Sequence, residues 1–203
     1  MTNSLSYLAL GDSYTIGESV AESERWPVQL SKSLAKNGVE VASPQIIAQT
    51  GWTTDELKEK IVSENITKTY DLVSLLIGVN NQYRGRSVEE FQTEFVELLE
   101  TAFKFACNKA ERVFVVSIPD WGITPFGRQG KNKTISEQID LFNKIKKEET
   151  DKKGILFIDI TPISRQAIND VSLVAKDGLH PSEKMYQQWV EKILPELLKK
   201  IKL

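Results

Sequence analysis

Five short apolar runs alternate along the chain with stretches of helical periodicity, and this alternation limits the possible folds more than any other feature. Apolar runs of this length that end in turn residues are typical of strands buried on both faces. Strands separated by helices pair in parallel through right-handed crossovers. The sequence therefore predicts an α/β fold, a three-layer α/β/α sandwich around a five-stranded parallel sheet, with strands within residues 5–10, either 39–41 or 46–48, 72–77, 113–118 and 155–160.

The helical stretches begin at polar residues that can cap a helix. Thr53 is followed three residues later by Glu56, and Ser87 by Glu90, which is the spacing of a capping box. After Ser87, apolar residues recur at three- and four-residue spacing and predict one long helix with a single buried face. Cys107 follows this pattern, so we expect it to be a small buried residue.

Length and composition indicate one ordinary globular domain over residues 1–203. The chain has 203 residues, 40% of them hydrophobic, and a formal net charge of −2, so no charge excess favours nucleic acid or anionic lipid as a partner. One cysteine and one histidine are too few for a zinc site of the Cys/His kind within one chain. We expect no metal and no cofactor.

No targeting signal stands out in the sequence. No apolar run reaches the roughly 18 residues of a membrane span. The first four residues lack the basic region of a secretory signal, and the apolar run after them is needed as the first strand. We therefore expect a cytoplasmic protein without stable membrane insertion.

The first apolar run ends in a glycine loop that contains a serine. Gly11 allows a tight turn, and Ser13 lies just past the predicted strand, at the edge where parallel α/β sheets build sites. A nucleophilic serine needs a base, and His180 is the only histidine. Asp177 lies three residues before it, across a turn at Gly178. Taken singly, Ser13 could be a helix cap, His180 a loop histidine and Asp177 part of a turn.

Four motifs in order resemble the four blocks of the SGNH (GDSL) hydrolase family. They are Gly11-Asp12-Ser13, a glycine at Gly51, Gly78-Val79-Asn80 and Asp177-Gly178-Leu179-His180, and they span nearly the whole chain. The resemblance implies a flavodoxin-like strand order, 2-1-3-4-5. It also implies that the first three blocks meet at the carboxyl edge of the sheet, where His180 arrives from the loop before the last helix.

The resemblance implies hydrolysis of carboxylic esters of small or short-chain acyl substrates through an acyl-enzyme. Ser13 would be the nucleophile, His180 the base, and Asp177 the residue that orients the imidazole. The implied oxyanion hole consists of the backbone N–H groups of Ser13 and Gly51 and the side-chain amide of Asn80. Gly51 and Asn80 could each also serve only a turn or a cap.

Three residues beside these motifs need separate expectations. The family usually has Asp after the oxyanion Asn, whereas this chain has Asn81, for which we expect an uncharged role in positioning the loop. Asp12 is expected to be structural and to tie the loops together. Tyr14 stands where many members have Leu.

Substrate contacts are less specified by the sequence than the catalytic set. Candidate pocket residues, each of which could equally be core or surface packing, are Trp52, Gln82, Tyr83, Trp121 and Phe126. The same machinery would also serve a thioesterase or a carbohydrate acetylesterase, and the fold could support a non-catalytic binding module. A nucleotide-binding domain is disfavoured because the glycine loop lacks both phosphate-binding motifs.

Overall fold

A five-stranded parallel sheet forms the centre of the protein. The computed structural model describes residues 4–130 and 134–201. The sheet order is β2-β1-β3-β4-β5, and each neighbouring pair is parallel. This confirms the predicted order 2-1-3-4-5. The strands are β1 (Tyr7–Gly11), β2 (Gln45–Ala48), β3 (Leu72–Leu76), β4 (Val113–Val116) and β5 (Leu156–Ile158).

Helices connect the strands and cover the sheet. The long helices α2 and α9 pack against each other, while α5 packs between α3 and α7. The helices are α1 (Ser13–Ile16), α2 (Trp26–Lys36), α3 (Thr54–Ser63), α4 (Val79–Tyr83), α5 (Val88–Phe105), α6 (Pro125–Gln129), α7 (Ile135–Lys152), α8 (Thr161–Arg165) and α9 (Glu183–Lys200). Each long helix buries one apolar face against the strands. In the described part of the chain, no helix has the length and apolar character needed to cross a membrane.

Burial of the central strands accounts for the unbroken apolar runs in the sequence. Every residue of β1, β3 and β4 is buried, as expected for strands covered on both faces. In the second predicted run, residues 46–48 belong to β2, whereas Val41 forms only an isolated bridge with Leu5. The alternative at 39–41 is therefore wrong.

Local capping signals place the starts of two helices correctly. Both halves of the Thr53–Glu56 capping box are present at α3, and the Ser87 side chain accepts a hydrogen bond from the Glu90 N–H, 3.1 Å away, at α5. The expectation for Cys107 is wrong, because α5 ends before it. Cys107 lies in the following turn with φ +55° and is exposed.

Candidate active site

The end of β1 presents Ser13 at the carboxyl edge of the sheet. A Cβ atom on Gly11 would lie 2.2 Å from Thr15 Oγ1 and 2.5 Å from the Leu76 carbonyl oxygen, so this position requires glycine. The chain then turns directly into α1, where Ser13 is the first residue. The Asp12 side chain caps this helix by accepting a hydrogen bond from the Tyr14 N–H at 3.0 Å.

Asp12 is fully buried behind the serine. Burial raises its pKa to about 7, although the Tyr14 N–H and the charge of Lys146 act to lower it. Its Oδ2 atom has no hydrogen-bond partner among the residues described. The side-chain hydrogen bond of Asp12 stays within its own turn, so the expectation that Asp12 ties the loops together is wrong.

His180 and Asp177 form a close pair in the loop before α9. His180 Nδ1 lies 2.6 Å from Asp177 Oδ2, and the ring is mostly buried, with its residue 9% exposed. The other oxygen, Asp177 Oδ1, accepts the backbone N–H groups of Leu179 and His180 at 2.9 and 3.0 Å. These bonds hold the Asp177 carboxylate beside the imidazole, so that Nδ1 is the ring nitrogen that faces Asp177.

Asp177 is held in its charged form by its hydrogen bonds. Partial burial alone would raise its pKa, but hydrogen bonds from the Ser19 hydroxyl, the His180 ring and two backbone amides outweigh it and keep the pKa well below the usual range. A carboxylate that stays ionised can stabilise an imidazolium beside it.

Gly51 and Asn80 lie at the ends of the strands that flank β1. Gly51 has φ +89°, a left-handed conformation that favours glycine, and its N–H has no acceptor among residues 4–130 and 134–201. Asn80 Nδ2 donates to the Trp52 carbonyl oxygen at 2.9 Å, which holds the side-chain amide against the Gly51 loop.

Asn81 is fully buried and joins α4 to the start of α3. Its Oδ1 accepts the Thr54 N–H at 3.1 Å, and its Nδ2 donates to Thr54 Oγ1 at 2.6 Å and approaches Glu94 Oε2 at 3.4 Å. An uncharged amide thus joins the start of α4, next to Asn80, to the start of α3.

One cavity of about 210 Å³ brings the separate motifs together. Its walls contain four of the predicted catalytic and oxyanion residues, Ser13, Gly51, Asn80 and His180. Three of the five candidate pocket residues, Tyr83, Trp121 and Phe126, line it as well. The Trp121 ring lies 5.4 Å from that of Tyr83 and 6.3 Å from that of Phe126, centroid to centroid, so the three form one aromatic wall.

Trp52 and Gln82 lie outside this lining. The Trp52 side chain packs partly buried against the hydrophobic core, and only its carbonyl contacts the site, through Asn80. Gln82 is buried on α4, where its Oε1 accepts the Trp121 indole N–H at 2.8 Å and its Nε2 donates to Gln138 at 2.7 Å. Gln82 thus orients a wall residue from behind.

Sequence reasoning missed four residues of the cavity lining. They are Tyr14, Thr50, Val79 and Leu179. Val79 and Leu179 lie inside two of the motifs, and Tyr14 and Thr50 lie directly beside the other two, so their positions were the available signal. Tyr14 is buried with its ring edge-on to His180 at 5.9 Å. Among the described residues, no group of three or more His, Cys, Asp or Glu side chains could hold a metal ion.

Comparisons with solved structures agree with the fold described above. The structure is similar to TesA (TM-score 0.75, 17% identity, 97% of this chain and 99% of that one) and to the acetylxylan esterase Axe2 from Geobacillus stearothermophilus (0.72, 16%, 95% and 94%). It is also similar to a lipase/acylhydrolase from Enterococcus faecalis (0.69, 22%, 98% and 97%). No curated protein sequence matches significantly.

A protein-family model covers most of the chain. The model of the GDSL-like lipase/acylhydrolase family matches residues 9–188, a span that contains all four motifs. At these low identities the structural neighbours establish the α/β fold, and the family match establishes the enzyme class. The protein therefore belongs to the GDSL-like lipase/acylhydrolase family and is a GDSL-type ester hydrolase.

Proposed function

We propose that the protein is a serine hydrolase that cleaves carboxylic esters of small or short-chain acyl groups through an acyl-enzyme. The observation that carries the proposal is the shared cavity. Ser13, Gly51, Asn80 and His180 converge on it from four separate segments, and His180 Nδ1 lies 2.6 Å from Asp177 Oδ2. A nucleophile, a base oriented by an acid and amide donors are the parts that acyl transfer requires.

In this mechanism Ser13 Oγ attacks the ester carbonyl carbon as its proton passes to His180 Nε2. Nδ1 is held by Asp177, so the other ring nitrogen is the one available to the serine. The tetrahedral intermediate collapses, the C–O bond to the alcohol breaks, and the imidazolium returns the proton to the leaving alcohol. Water then attacks the acyl carbon as it gives a proton to His180; the bond between the acyl carbon and Ser13 Oγ breaks, the imidazolium returns the proton to Oγ, and the carboxylic acid leaves.

The negative oxygen of the tetrahedral intermediate would lie against the amide donors. The Gly51 N–H is unpaired within the described part of the chain, and the Asn80 amide is fixed through its bond to Trp52. Donors held in place before the reaction need no reorganisation when charge develops on the oxygen. Neutral amides also avoid binding a carboxylate product as tightly as a cation would.

The size and wall of the cavity support small, partly apolar substrates. A volume of about 210 Å³ is below the usual range for drug-sized ligands. Tyr83 and Phe126 are exposed by 59% and 43% and form the rim with Trp121. Such rings would contact an acyl chain or the face of a sugar. This favours a carbohydrate acetylesterase as the second candidate, since Axe2 is an acetylxylan esterase. A thioesterase would use the same residues.

We expect Ser13→Ala and His180→Ala each to lower ester hydrolysis by at least about 10³-fold, because each removes a group that takes part in bond making. The measurement is hydrolysis of p-nitrophenyl esters from acetyl to long acyl chains, together with acetylated xylo-oligosaccharides and acyl thioesters. The chain-length optimum then reports the size of the acyl site.

The matched control is Ser23→Ala. Ser23 is exposed and its hydroxyl contacts only Glu24 among the described residues, so this variant should keep wild-type rates. Circular dichroism checks that each variant is folded. Full activity in folded Ser13→Ala or His180→Ala would contradict the mechanism.

A further inference from the structure

A serine outside the four motifs contacts the acid of the site. Ser19 lies in the loop after α1, and its Oγ donates to Asp177 Oδ2 at 2.7 Å across 158 positions of sequence. Ser19 has φ +66°, a left-handed conformation that is uncommon for a residue other than glycine. A non-glycine residue kept in such a conformation suggests that its side chain serves a purpose there.

The hydroxyl shares one oxygen atom with the imidazole. Asp177 Oδ2 accepts both from Ser19 Oγ and from His180 Nδ1, whereas Oδ1 is taken up by two backbone N–H groups of its own loop. Within the described residues, Ser19 is thus the one donor that reaches this carboxylate from outside its loop. It links the segment that carries the nucleophile to the acid.

The same loop also contacts the segment that carries Gly51. The Glu18 carboxylate accepts a hydrogen bond from Thr50 Oγ1, directly before Gly51. Residues 17–20, which we call the clasp loop, begin where α1 ends, at Gly17. The clasp loop therefore contacts the acid on one side and the glycine loop on the other.

We propose that Ser19 is a positioning residue of the active site, which sets the orientation of the Asp177 carboxylate and its strength as an acceptor for His180. This inference rests on the proposed function, because it assigns Ser19 a part in the same proton transfer. The serine touches neither substrate nor the reacting atoms and acts through Asp177 alone.

The Ser19 hydroxyl that donates to Asp177 Oδ2 partly neutralises the negative charge on that oxygen. Without it, Oδ2 would bind the imidazole more strongly, and more so when the ring is protonated. The ring would then lose its proton at higher pH. The other titratable groups whose charges act on this region come from several elements and are unchanged by the substitution; they are Asp12, Tyr14, Glu18, Asp120 and Tyr186.

The single histidine makes a direct test possible. All imidazole signals in an NMR titration come from His180, so the midpoint of its titration can be followed without assignment of other rings. Because the contact between Ser19 and Asp177 is exposed and water can replace part of the lost hydrogen bond, we expect Ser19→Ala to move this midpoint upward by roughly 0.3 to 0.5 pH unit. The acid limb of the pH–rate profile should move with it, and kcat on that limb should fall roughly two- to threefold, with little change in KM.

Two further variants separate the hydroxyl from the backbone. Ser19→Gly also deletes the hydroxyl, but glycine adopts φ +66° without strain. It should therefore shift the titration midpoint of His180 as Ser19→Ala does, while its unfolding temperature should be higher than that of Ser19→Ala. Ser23→Ala removes an exposed hydroxyl elsewhere in the same region and should leave both the midpoint and the rate unchanged.

The titration also separates this inference from the proposed function. An unchanged midpoint and rate in Ser19→Ala would overturn the role of Ser19 and leave hydrolysis by Ser13 standing. A midpoint that moves in Ser19→Ala but not in Ser19→Gly would assign the effect to loop conformation and would also overturn it. Hydrolysis that survives Ser13→Ala would refute the proposed function, while the midpoint would still report on the Ser19 contact.

Discussion

Lys146 is a charged side chain that the fold buries completely beneath the active site. Its Nζ donates to the carbonyl oxygens of Ile77, at 3.0 Å, and Val116, at 2.9 Å, where β3 and β4 end. Burial lowers its pKa to about 7, against the charge of Asp12, which acts to raise it. The lysine thus joins two strand ends directly below the loops that carry Asn80 and Asp120.

Replacement of this lysine tests its contribution to stability. Lys146→Met keeps an unbranched side chain of similar length but leaves two buried carbonyl groups without a donor, so we expect a loss of about 2 kcal/mol or more in the free energy of unfolding. Urea denaturation measures it. Lys147→Met, next along α7, removes only an exposed pair with Asp151 and should change stability by less than about 0.5 kcal/mol. Equal stabilities for the two variants would refute the expectation.

Individual site residues differ in how far the sequence could predict them. Asp177 and His180 are three positions apart, so a single turn brings them together, and the spacing alone indicated the pair. Lys146 has the residue type of a surface position, yet it follows Ile139 by seven positions and Phe142 by four, so the helical period places it on the buried face of α7. Its acceptors come from two strands, and such contacts exist only once the sheet has formed.

At the scale of elements, a buried cluster joins α3, α4 and α5 next to Asn80. Asn81 on α4 bonds both the N–H and the hydroxyl of Thr54 on α3, and the same hydroxyl donates to Glu94 on α5. The Asn81 Nδ2 atom is 3.4 Å from the Glu94 carboxylate. A neutral amide therefore faces a carboxylate at the position where family members usually carry Asp.

Asp, the residue that the family usually has at position 81, should destabilise this protein. Asn81→Asp would set a second carboxylate beside Glu94 in a buried position, which raises the pKa of the new carboxyl. Stability should match the wild type most closely near pH 4, where the carboxyl holds a proton, and fall below it by about 2 kcal/mol by pH 8. Urea denaturation at both pH values measures the difference.

The double variant Asn81→Asp, Glu94→Gln provides the matched control. The second change removes the negative charge of Glu94 and provides a glutamine side-chain amide that can donate to the new carboxylate. The double variant should therefore recover most of the free energy of unfolding at pH 8. If the single variant is as stable as the wild type at pH 8, the neutral amide is not required there.

Elements that begin at a local signal could be predicted, whereas those held by distant contacts could not. The start of α3 depends on Thr53 and Glu56, which are neighbours in sequence. By contrast, α8 begins where the Thr161 N–H meets the Ser117 hydroxyl, 44 positions away. The short α4 follows Gly78 at φ +122°, where a Cβ atom would lie 2.6 Å from a ring atom of Phe91. Pro162 in the first turn of α8 is a local start signal, but the contact between Thr161 and Ser117 could not be predicted from neighbouring residues.

At the scale of the whole molecule, the parallel sheet is what makes distant motifs into neighbours. Parallel strands end at one edge, so the loops after β1, β2 and β3 meet there whatever their separation in sequence. The sequence could therefore predict which loops share the site. It could not predict contacts between side chains of different loops, such as Ser19 with Asp177, because these depend on loop conformations that local periodicity does not encode.

The ionisable groups of the molecule divide into two sets with opposite effects on stability. Several partly exposed carboxyls have a pKa below the usual range because hydrogen bonds and cations outweigh burial, among them Asp55, Glu56, Asp71 and Asp177. They stabilise the fold above their ordinary pKa, and this contribution is lost as pH falls toward 2. Asp12 belongs to the other set, because its pKa in the folded protein is raised to about 7.

The free energy of unfolding should therefore rise with pH up to about pH 4 and fall above it. Between about pH 4 and 7 the folded protein keeps a proton on Asp12 that the unfolded chain releases, so stability should fall across this window by on the order of 4 kcal/mol. Below it, stability should fall steeply with acid as the other carboxyls take up protons. Urea denaturation at pH intervals from 2 to 8 measures both limbs.

Asp12→Asn assigns the upper limb to its source. The amide oxygen can still accept the Tyr14 N–H that caps α1, but the side chain no longer titrates. In this variant the decline between pH 4 and 7 should disappear, while the loss below pH 4 should remain. A decline that persists in Asp12→Asn would show that some other buried group holds the proton. Burial of the Asp12 carboxyl beside Ser13 would then not be the cause of the decline between pH 4 and 7.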